Sequence, residues 1–431
     1  MRVTATDRGE ARGSQRPLRV AFLVYRGNPH CGGQGVYTRH LTAALSRLGH
    51  AVTVFAGQPY PELADGVELV RVPSLDLYRD ADPFRRPRRR ELTSAADLLE
   101  LATMRSGGFG EPRTFSRRVA AELARRAGAF DLVHDDQCLG DGLLGVLAAG
   151  TPVLASIHHP IAIDRAVDLA HAEGRLRALS VRRWYGFSAM QRRVAGRLPL
   201  LLTVSESSRR DIVREMGVAD ERLVVVPVGV DTAIFRPLPG VARAPGRLIT
   251  TASADVPLKG LVPLLEALAK LRVEHEEAHL VVIGRPRAES GVPATLERLG
   301  LADAVTFLSG ISDEELVREY ARATLAVVPS LYEGFSLPAV EAMACAVPLV
   351  ATTGGALPEV VGPDGGTGRL VAPDDPGALA LTIGGLLDDE AARARLGAAG
   401  RERVAERFSW ERCAEGTVAA YRRLLAGSGG C

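Results

Sequence analysis

The fold is decided by four consecutive pieces of sequence: LRVAFLVY (Leu18 to Tyr25), RGNPHCGGQG (Arg26 to Gly35), VYTRHLTAALSRLGH (Val36 to His50) and AVTVF (Ala51 to Phe55). The first and last are short, apolar and rich in β-branched residues, which predicts buried strands. Between them Val36, Leu41, Ala44, Leu45 and Leu48 recur at helical spacing, and Gly49 closes the helix. A strand, a glycine-rich turn, a helix and a second strand form one βαβ unit, and such a unit implies a parallel sheet.

Working outward, strand patterns recur at Val67 to Val72, Leu132 to His134, Val153 to Ile157 and Leu200 to Val204, with helical patterns between them. A second alternating series begins at Leu248 to Thr251 and continues through Leu280 to Ile283, Val305 to Phe307, Ala326 to Val328 and Leu349 to Ala351. Between the series, residues 236–247 carry Pro237, Pro239, Gly240, Pro245 and Gly246, the composition of a linker. The expected class is α/β, with two Rossmann-like domains over residues 18–235 and 248–407. Residues 1–17 form a flexible tail, and a C-terminal helix at about 408–425 packs back on the first domain. The stretch Arg79 to Gly110 breaks the alternation and reads as an insertion at the cleft rim.

With 431 residues the chain is too long for one ordinary core, which agrees with two domains. A formal charge of +2 offers a nucleic acid no electrostatic footprint. The five cysteines are scattered without a C-x-x-C pair, so neither a disulfide framework nor a zinc site is expected, and a reducing cytoplasm fits. No apolar run is long enough for a signal peptide core or a membrane span. Arginine clusters at Arg85 to Arg90, Arg117-Arg118, Arg125-Arg126, Arg182-Arg183 and Arg192-Arg193 all lie in the first domain. Three readings stand for them: solvated helix faces, docking on anionic lipid at the inner face of the membrane, or a grip on an anionic acceptor.

The strongest chemical signal is Glu333-Gly-Phe-Ser-Leu-Pro-Ala-Val-Glu341, placed between a strand and a helix. The backbone N–H groups of Gly334, Phe335, Ser336 and Leu337 would face outward at a helix N-terminus, a natural seat for a diphosphate. Glu333 could then accept hydrogen bonds from sugar hydroxyls, and Glu341, two turns on, could reach a ribose. Lys259, one of only two lysines, follows the strand Leu248 to Thr251 and would bring a cation to the same crevice. A structural reading of these residues, as a loop carboxylate, a first-turn carboxylate and a solvated lysine, stands beside the chemical one.

These motifs resemble those of the family 4 glycosyltransferases, the glycosyl transferases group 1. Glu333 to Glu341 is similar to the family's E-x7-E motif, and Gly32-Gly-Gln-Gly-Val-Tyr37 to its N-terminal glycine loop. Val225 to Asp231, Phe235-Arg-Pro237, Pro257-Leu-Lys-Gly260, Gly354 to Glu359 and Gly366 to Leu370 follow in family order. The resemblance implies a GT-B fold, two Rossmann-like domains facing across a central cleft. It implies a retaining glycosyltransferase that moves a hexose-type sugar from a UDP- or GDP-linked donor to a glycan, lipid or small-molecule hydroxyl, without a bound metal or other cofactor. Glu333, Lys259 and His158 are the catalytic candidates. The donor would meet Gly33, Ser253, Lys259, Gly284, Arg285, Ser309, Gly310, Glu333, the Gly334 to Leu337 amides and Glu341. Gln34, His134 and Asp135 are placed on the acceptor side.

The sequence departs from the family at Ser253, where an arginine is usual, so Arg285 or Ser253 itself would have to substitute, or activity is weak or absent. A silent nucleotide-sugar-binding protein, and an epimerase or phosphorylase of the same fold, are the rival readings. A metal site from His134, Asp135, Asp136 and His158 is not expected, because nothing fixes its ligand geometry. The chain is expected in the cytoplasm, as a monomer or homodimer.

Overall fold

A computed structural model describes residues 16–28, 33–79, 82–170, 172–252, 257–286 and 290–428. Seven strands build the first sheet: β1 (Arg19–Val24), β2 (Ala51–Ala56), β3 (Glu68–Arg71), β4 (Leu132–Asp136), β5 (Val153–Ile157), β6 (Leu200–Thr203) and β7 (Leu223–Val225). They run parallel in the order β3-β2-β1-β4-β5-β6-β7. Six more build the second: β8 (Arg247–Thr251), β9 (His279–Ile283), β10 (Val305–Leu308), β11 (Leu325–Val328), β12 (Leu349–Thr352) and β13 (Arg369–Val371). These are also parallel, in the order β10-β9-β8-β11-β12-β13.

Helices cover both faces of each sheet, so the central strands are buried on both sides and read as continuous apolar runs. In β1 every residue after Arg19 is buried, and in β4 and β5 every residue is. The strand order reverses between β1 and β4 in the first sheet and between β8 and β11 in the second. Ligand crevices of parallel sheets open at such points, outside the carboxyl ends of the strands. The loop after β8 carries Lys259 and the loop after β11 carries Glu333, so the strand order alone brings the two sequence motifs to one crevice.

β7 and β13, which the periodicity does not reveal, are three-residue strands at sheet edges, too short to show alternation. The rim insertion contains the helix Ala95–Arg105, whose N-terminus is closed by a reciprocal Ser94 and Asp97 capping box. Leu101 of that helix packs with Leu75, Leu77 and Tyr78, which precede the insertion, in a small separate core. Several arginines of the first domain meet acids: Arg118 pairs with Asp97 and Glu100 at 2.7 and 2.8 Å, and Arg117 with Asp141 at 2.8 Å. Among the described residues no helix is long and apolar enough to cross a membrane.

The chain crosses back at Phe408-Ser409, between the helices Glu390–Arg407 and Trp410–Ser428. The second of these lies on the helix Gly33–Arg47, where Trp410, 3% exposed, stacks on His40 at 5.1 Å. Gly229 is required for this return, because a Cβ there would stand 2.3 Å from the Trp410 nitrogen.

Candidate active site

On the second domain, Glu333 is held from three directions. Its Oε1 accepts from Lys259 Nζ and from Ser330 Oγ, each at 2.8 Å, and its own carbonyl accepts the Ala356 N–H at 2.8 Å. The Gly354-Gly355 turn exists to let this loop in: Cβ atoms at those positions would lie 2.5 Å from the Leu331 oxygen and 2.2 Å from the Glu333 oxygen. Gly260 does the same on the lysine side, adopting φ +65° with Pro329 O 2.0 Å from where its Cβ would be. The Lys259–Glu333 pair is mostly buried, with side chains 26% and 9% exposed.

Ser336, at the N-cap of the helix Leu337–Ala344, has φ +96° and a buried hydroxyl without a hydrogen-bond partner. A non-glycine residue in that region of φ is strained, and strain of this kind collects at ligand clamps. The turn from Gly334 to Leu337 leads into the helix without a side-chain cap, leaving its first N–H groups without intrahelical partners.

Glu341 sits deeper. Tyr320 donates to its Oε2 at 3.4 Å, and the same phenol meets Thr251 Oγ1, the last residue of β8, at 3.2 Å. Burial, with Asp313 nearby, pushes the Glu341 carboxyl up to about 7. At the ends of β9 and β10, Gly284 adopts φ +155°, Arg285 reaches Ser309 Oγ at 3.4 Å and Gly310 turns at φ +69°. These flank the crevice rather than joining the Lys259–Glu333 pair. Ser253 lies outside the described residues.

Across the cleft, Gly33 opens the first helix and Gln34 Nε2 donates to the Asp136 carbonyl at 3.3 Å. Asp136 also binds His158, with Oδ1 2.7 Å from Nε2, and Tyr37 packs edge-on against the same ring at 4.7 Å. The histidine backbone touches the donor half directly: a Cβ on Gly334 would lie 2.5 Å from the His158 oxygen. His159, the next residue, bonds Asp164 at 2.8 Å. Burial alone would lower the His159 pKa, but the Asp164 carboxylate outweighs it and the net shift is upward.

Two acceptor-side expectations need correction. His134 and Asp135 are fully buried, because β4 runs on to Asp136, two residues past its predicted end, and keeps both inside the sheet. His134 is bonded to Ser156 at 2.7 Å and to Tyr421 of the returning helix at 2.6 Å, and burial pushes it down to about 3. Asp135 accepts the Leu139 N–H at 2.8 Å and is pushed up to about 8 by burial. Neither faces the cleft, and among the described residues no three His, Cys, Asp or Glu side chains converge to hold a metal ion.

Other residues of the site escaped the sequence reading. Ser205 Oγ donates to the Gly334 oxygen at 2.7 Å, and Ser208 Oγ bridges the His158 and Gly334 oxygens at 2.8 and 3.2 Å. Tyr332 donates to Asp211 at 2.7 Å. The Glu359 carboxylate caps the helix Glu206–Met216 of the other domain, accepting the Glu206 and Ser207 N–H groups at 2.8 and 2.6 Å. These bonds fasten the two domains beside the Glu333 loop. The one sequence signal was the serine cluster Ser205 to Ser208 at a strand end, a helix N-cap pattern that also serves the other domain.

Comparison with known proteins bears on this geometry. Residues 31–234 match the family model Glycosyltransferase Family 4, and residues 242–403 match Glycosyl transferases group 1. An MMP alpha-(1->4)-mannosyltransferase of Mycolicibacterium hassiacum is 52% identical over 415 residues, covering 96% of this chain and 100% of that protein. A D-inositol 3-phosphate glycosyltransferase of Kineococcus radiotolerans is 31% identical, over 94% of this chain and 93% of its own. Among solved structures, sucrose-phosphate synthase of Thermosynechococcus elongatus superposes with a TM-score of 0.73 at 24% identity, covering 95% of this chain and 100% of its own. HepE of Anabaena, solved with UDP and glucose, gives 0.68 at 19%, covering 94% and 99%. Two parallel sheets face each other across a crevice, both halves match their family models, and the relatives align end to end: the chain belongs to the group 1, family 4 glycosyltransferases and is a glycosyltransferase of GT-B fold.

Proposed function

We propose that the protein transfers a hexosyl group, mannosyl by likeness to the M. hassiacum relative, from a UDP- or GDP-linked donor to a hydroxyl of a glycan in α-(1→4) linkage. The observation that carries this reading is the Lys259–Glu333 pair at 2.8 Å beside the strained Gly334 to Leu337 turn. Such a turn offers N–H groups and a helix dipole to a diphosphate, and Lys259 adds a full positive charge to stabilise the leaving group. Glu333, whose Oε1 is held by Lys259 and Ser330, accepts hydrogen bonds from the sugar hydroxyls through its other oxygen. Glu341 takes the ribose, and Gly284, Arg285, Ser309 and Gly310 border the base. Gly33 approaches the phosphates from the first domain, and His158, oriented by Asp136, meets the sugar.

The donor hexose is α-linked in the common nucleotide sugars, and an α-product then requires net retention. The departing phosphate oxygen takes the proton of the incoming hydroxyl on the same face of the ring, and no metal takes part. Domain closure through Ser205, Ser208 and Glu359 keeps water from the donor.

A thermal-shift panel of UDP, GDP and their hexose conjugates tests the reading, because a ligand at ~100 times its dissociation constant stabilises by about 2.7 kcal/mol. One nucleotide series should raise the melting temperature, and its mannose conjugate should release nucleoside diphosphate when an α-(1→4)-mannooligosaccharide is added. No shift with any of them, or no release, would overturn it.

A further inference from the structure

We infer that Ser330 is a positioning residue, which keeps the Glu333 carboxylate in place while Lys259 is handed over from Glu333 to the diphosphate of the donor. This rests on the donor reading above and adds to it a residue, and a change of partner, that the reading does not contain.

Glu333 and a diphosphate compete for one ammonium. Lys259 Nζ donates to Glu333 Oε1 at 2.8 Å, in a pair whose side chains are 26% and 9% exposed. At that depth each charge depends on the other for compensation. Among the described residues Lys259 is the one cation that pairs with Glu333, and Arg285 reaches Ser309 instead. A diphosphate drawn to the same ammonium sets a second anion beside the carboxylate, and two anions at such range repel in a site of low polarity. The donor therefore gains the full charge of the lysine only as Glu333 gives it up.

Ser330 is what Glu333 keeps. Its hydroxyl donates to the same Oε1 at 2.8 Å, and a serine has a single proton to give. The residue is 2% exposed and its backbone is fixed. Its carbonyl accepts from Thr352 Oγ1 at the end of β12, and that oxygen in turn accepts the Gly354 N–H at 3.2 Å. On the other side, the N–H of Leu331 donates at 2.8 Å to the carbonyl of Leu258, the residue before Lys259. Ser330 thus stands on a frame shared by both loops, and the frame does not depend on where the lysine points. A buried carboxylate oxygen stripped of every donor is strongly destabilised, whereas one that retains a hydrogen bond is much less so. Ser330 supplies that bond, and by holding Oε1 it leaves the other oxygen for the sugar.

The test is a double-mutant cycle on the full chain, read by titration calorimetry with UDP and with GDP. Neither carries a hexose, so contacts between Glu333 and the sugar do not enter. Glu333→Gln keeps the shape and removes the competing charge, and it should bind the nucleoside diphosphate about tenfold tighter than the wild type. Ser330→Ala should bind it about tenfold more weakly, the order of one hydrogen bond to a charged group. In the Glu333→Gln background the same serine change should have no effect, because no charge is left to hold. If Ser330→Ala does not fold, Ser330→Cys takes its place in the cycle, being closer in volume and only a weak donor. Weaker binding by Glu333→Gln would mean that the carboxylate aims the lysine at the phosphates rather than competing for it, and would overturn the hand-over. Equal losses on changing Ser330 in both backgrounds would do the same, reducing the serine to a support of the loop. Either result leaves the donor reading standing. Binding of neither nucleotide to the wild type would overturn the donor reading itself, and the hand-over with it.

Discussion

Glu341 offers a test in which stability and binding must move in opposite directions. Its carboxyl is raised to about 7 in the folded protein, chiefly by burial, against about 4.5 for a free glutamate. A carboxyl whose folded value lies above its unfolded one binds more protons in the folded state between those two values. Stability therefore falls as pH rises through that window, and the loss is complete above pH 7. The full difference corresponds to about 3 kcal/mol. The side chain keeps some access to solvent, which reduces the figure to about 1–2 kcal/mol. Glu341→Gln removes the ionisation and should flatten this part of the profile. At pH 8 the variant should melt higher than the wild type by roughly 3 to 6 °C for a domain of this size, and at pH 4.5 the two should nearly coincide. In the proposed binding mode the same change removes an anionic acceptor from the ribose, and hydrogen bonds to charged groups are worth about 1.5–3 kcal/mol, so nucleotide affinity should fall about tenfold to a hundredfold. Wild-type affinity should itself tighten as pH passes upward through 7. Melting curves at pH 4.5 to 8 and calorimetric titration with the bound nucleotide supply both readouts. Parallel pH profiles for the two proteins would show that Glu341 is not the strained group, and unchanged affinity would remove it from the ribose site.

Lys259→Ala should lower kcat by about 10²- to 10³-fold, the loss typical of one preorganised charge-stabilising group, with an unchanged circular dichroism spectrum; near-normal turnover would refute its role. Glu359→Ala leaves the N-terminus of the helix Glu206–Met216 without its inter-domain cap. It should cost about 1 kcal/mol and enlarge the radius of gyration in solution scattering, whereas an unchanged radius would mean that Ser205 and Ser208 suffice as the fastener. Trp410→Ala opens a cavity between the returning helix and the helix Gly33–Arg47 and should destabilise the fold by about 3–5 kcal/mol. A loss below about 1 kcal/mol by urea titration would contradict its place as the anchor of the return.

How much of this was legible in the sequence follows from the range of each interaction. The βαβ pattern around β1, the alternating second series and the linker are local signals, because strand and helix periods repeat within a dozen residues. The loop ends of β8 and β11 were legible too, since a strand, a turn and a helix leave their own marks at Lys259 and Glu333. The extent of β4 was not. Asp135 and Asp136 carry none of the apolar character of a buried strand, and pairing on both sides, with β1 through Leu23↔Asp135 and Val24↔Asp136 and with β5 through Asp135↔Ala155 and Asp136↔Ser156, extends the strand over them. That extension turns His134 and Asp135 from cleft candidates into interior residues, and leaves Asp136 as the one of the three that reaches His158.

The inter-domain bonds were beyond reach for a related reason. Ser205 lies more than a hundred residues from Gly334, and nothing in its neighbourhood distinguishes a hydroxyl that caps its own helix from one that also bonds another domain; in the folded protein it does both, accepting Ser208 N–H at 3.0 Å and donating to Gly334 O at 2.7 Å. The glycines of the motifs tell the complementary story. Gly334, Gly354 and Gly355 are needed because a backbone oxygen from elsewhere, that of His158, Leu331 or Glu333, occupies the space of the missing side chain. Close approach, rather than flexibility, is what these positions encode. Each of these three glycines therefore marks a place where another segment packs against the Glu333 loop, and that partner can be known only once the chain is folded.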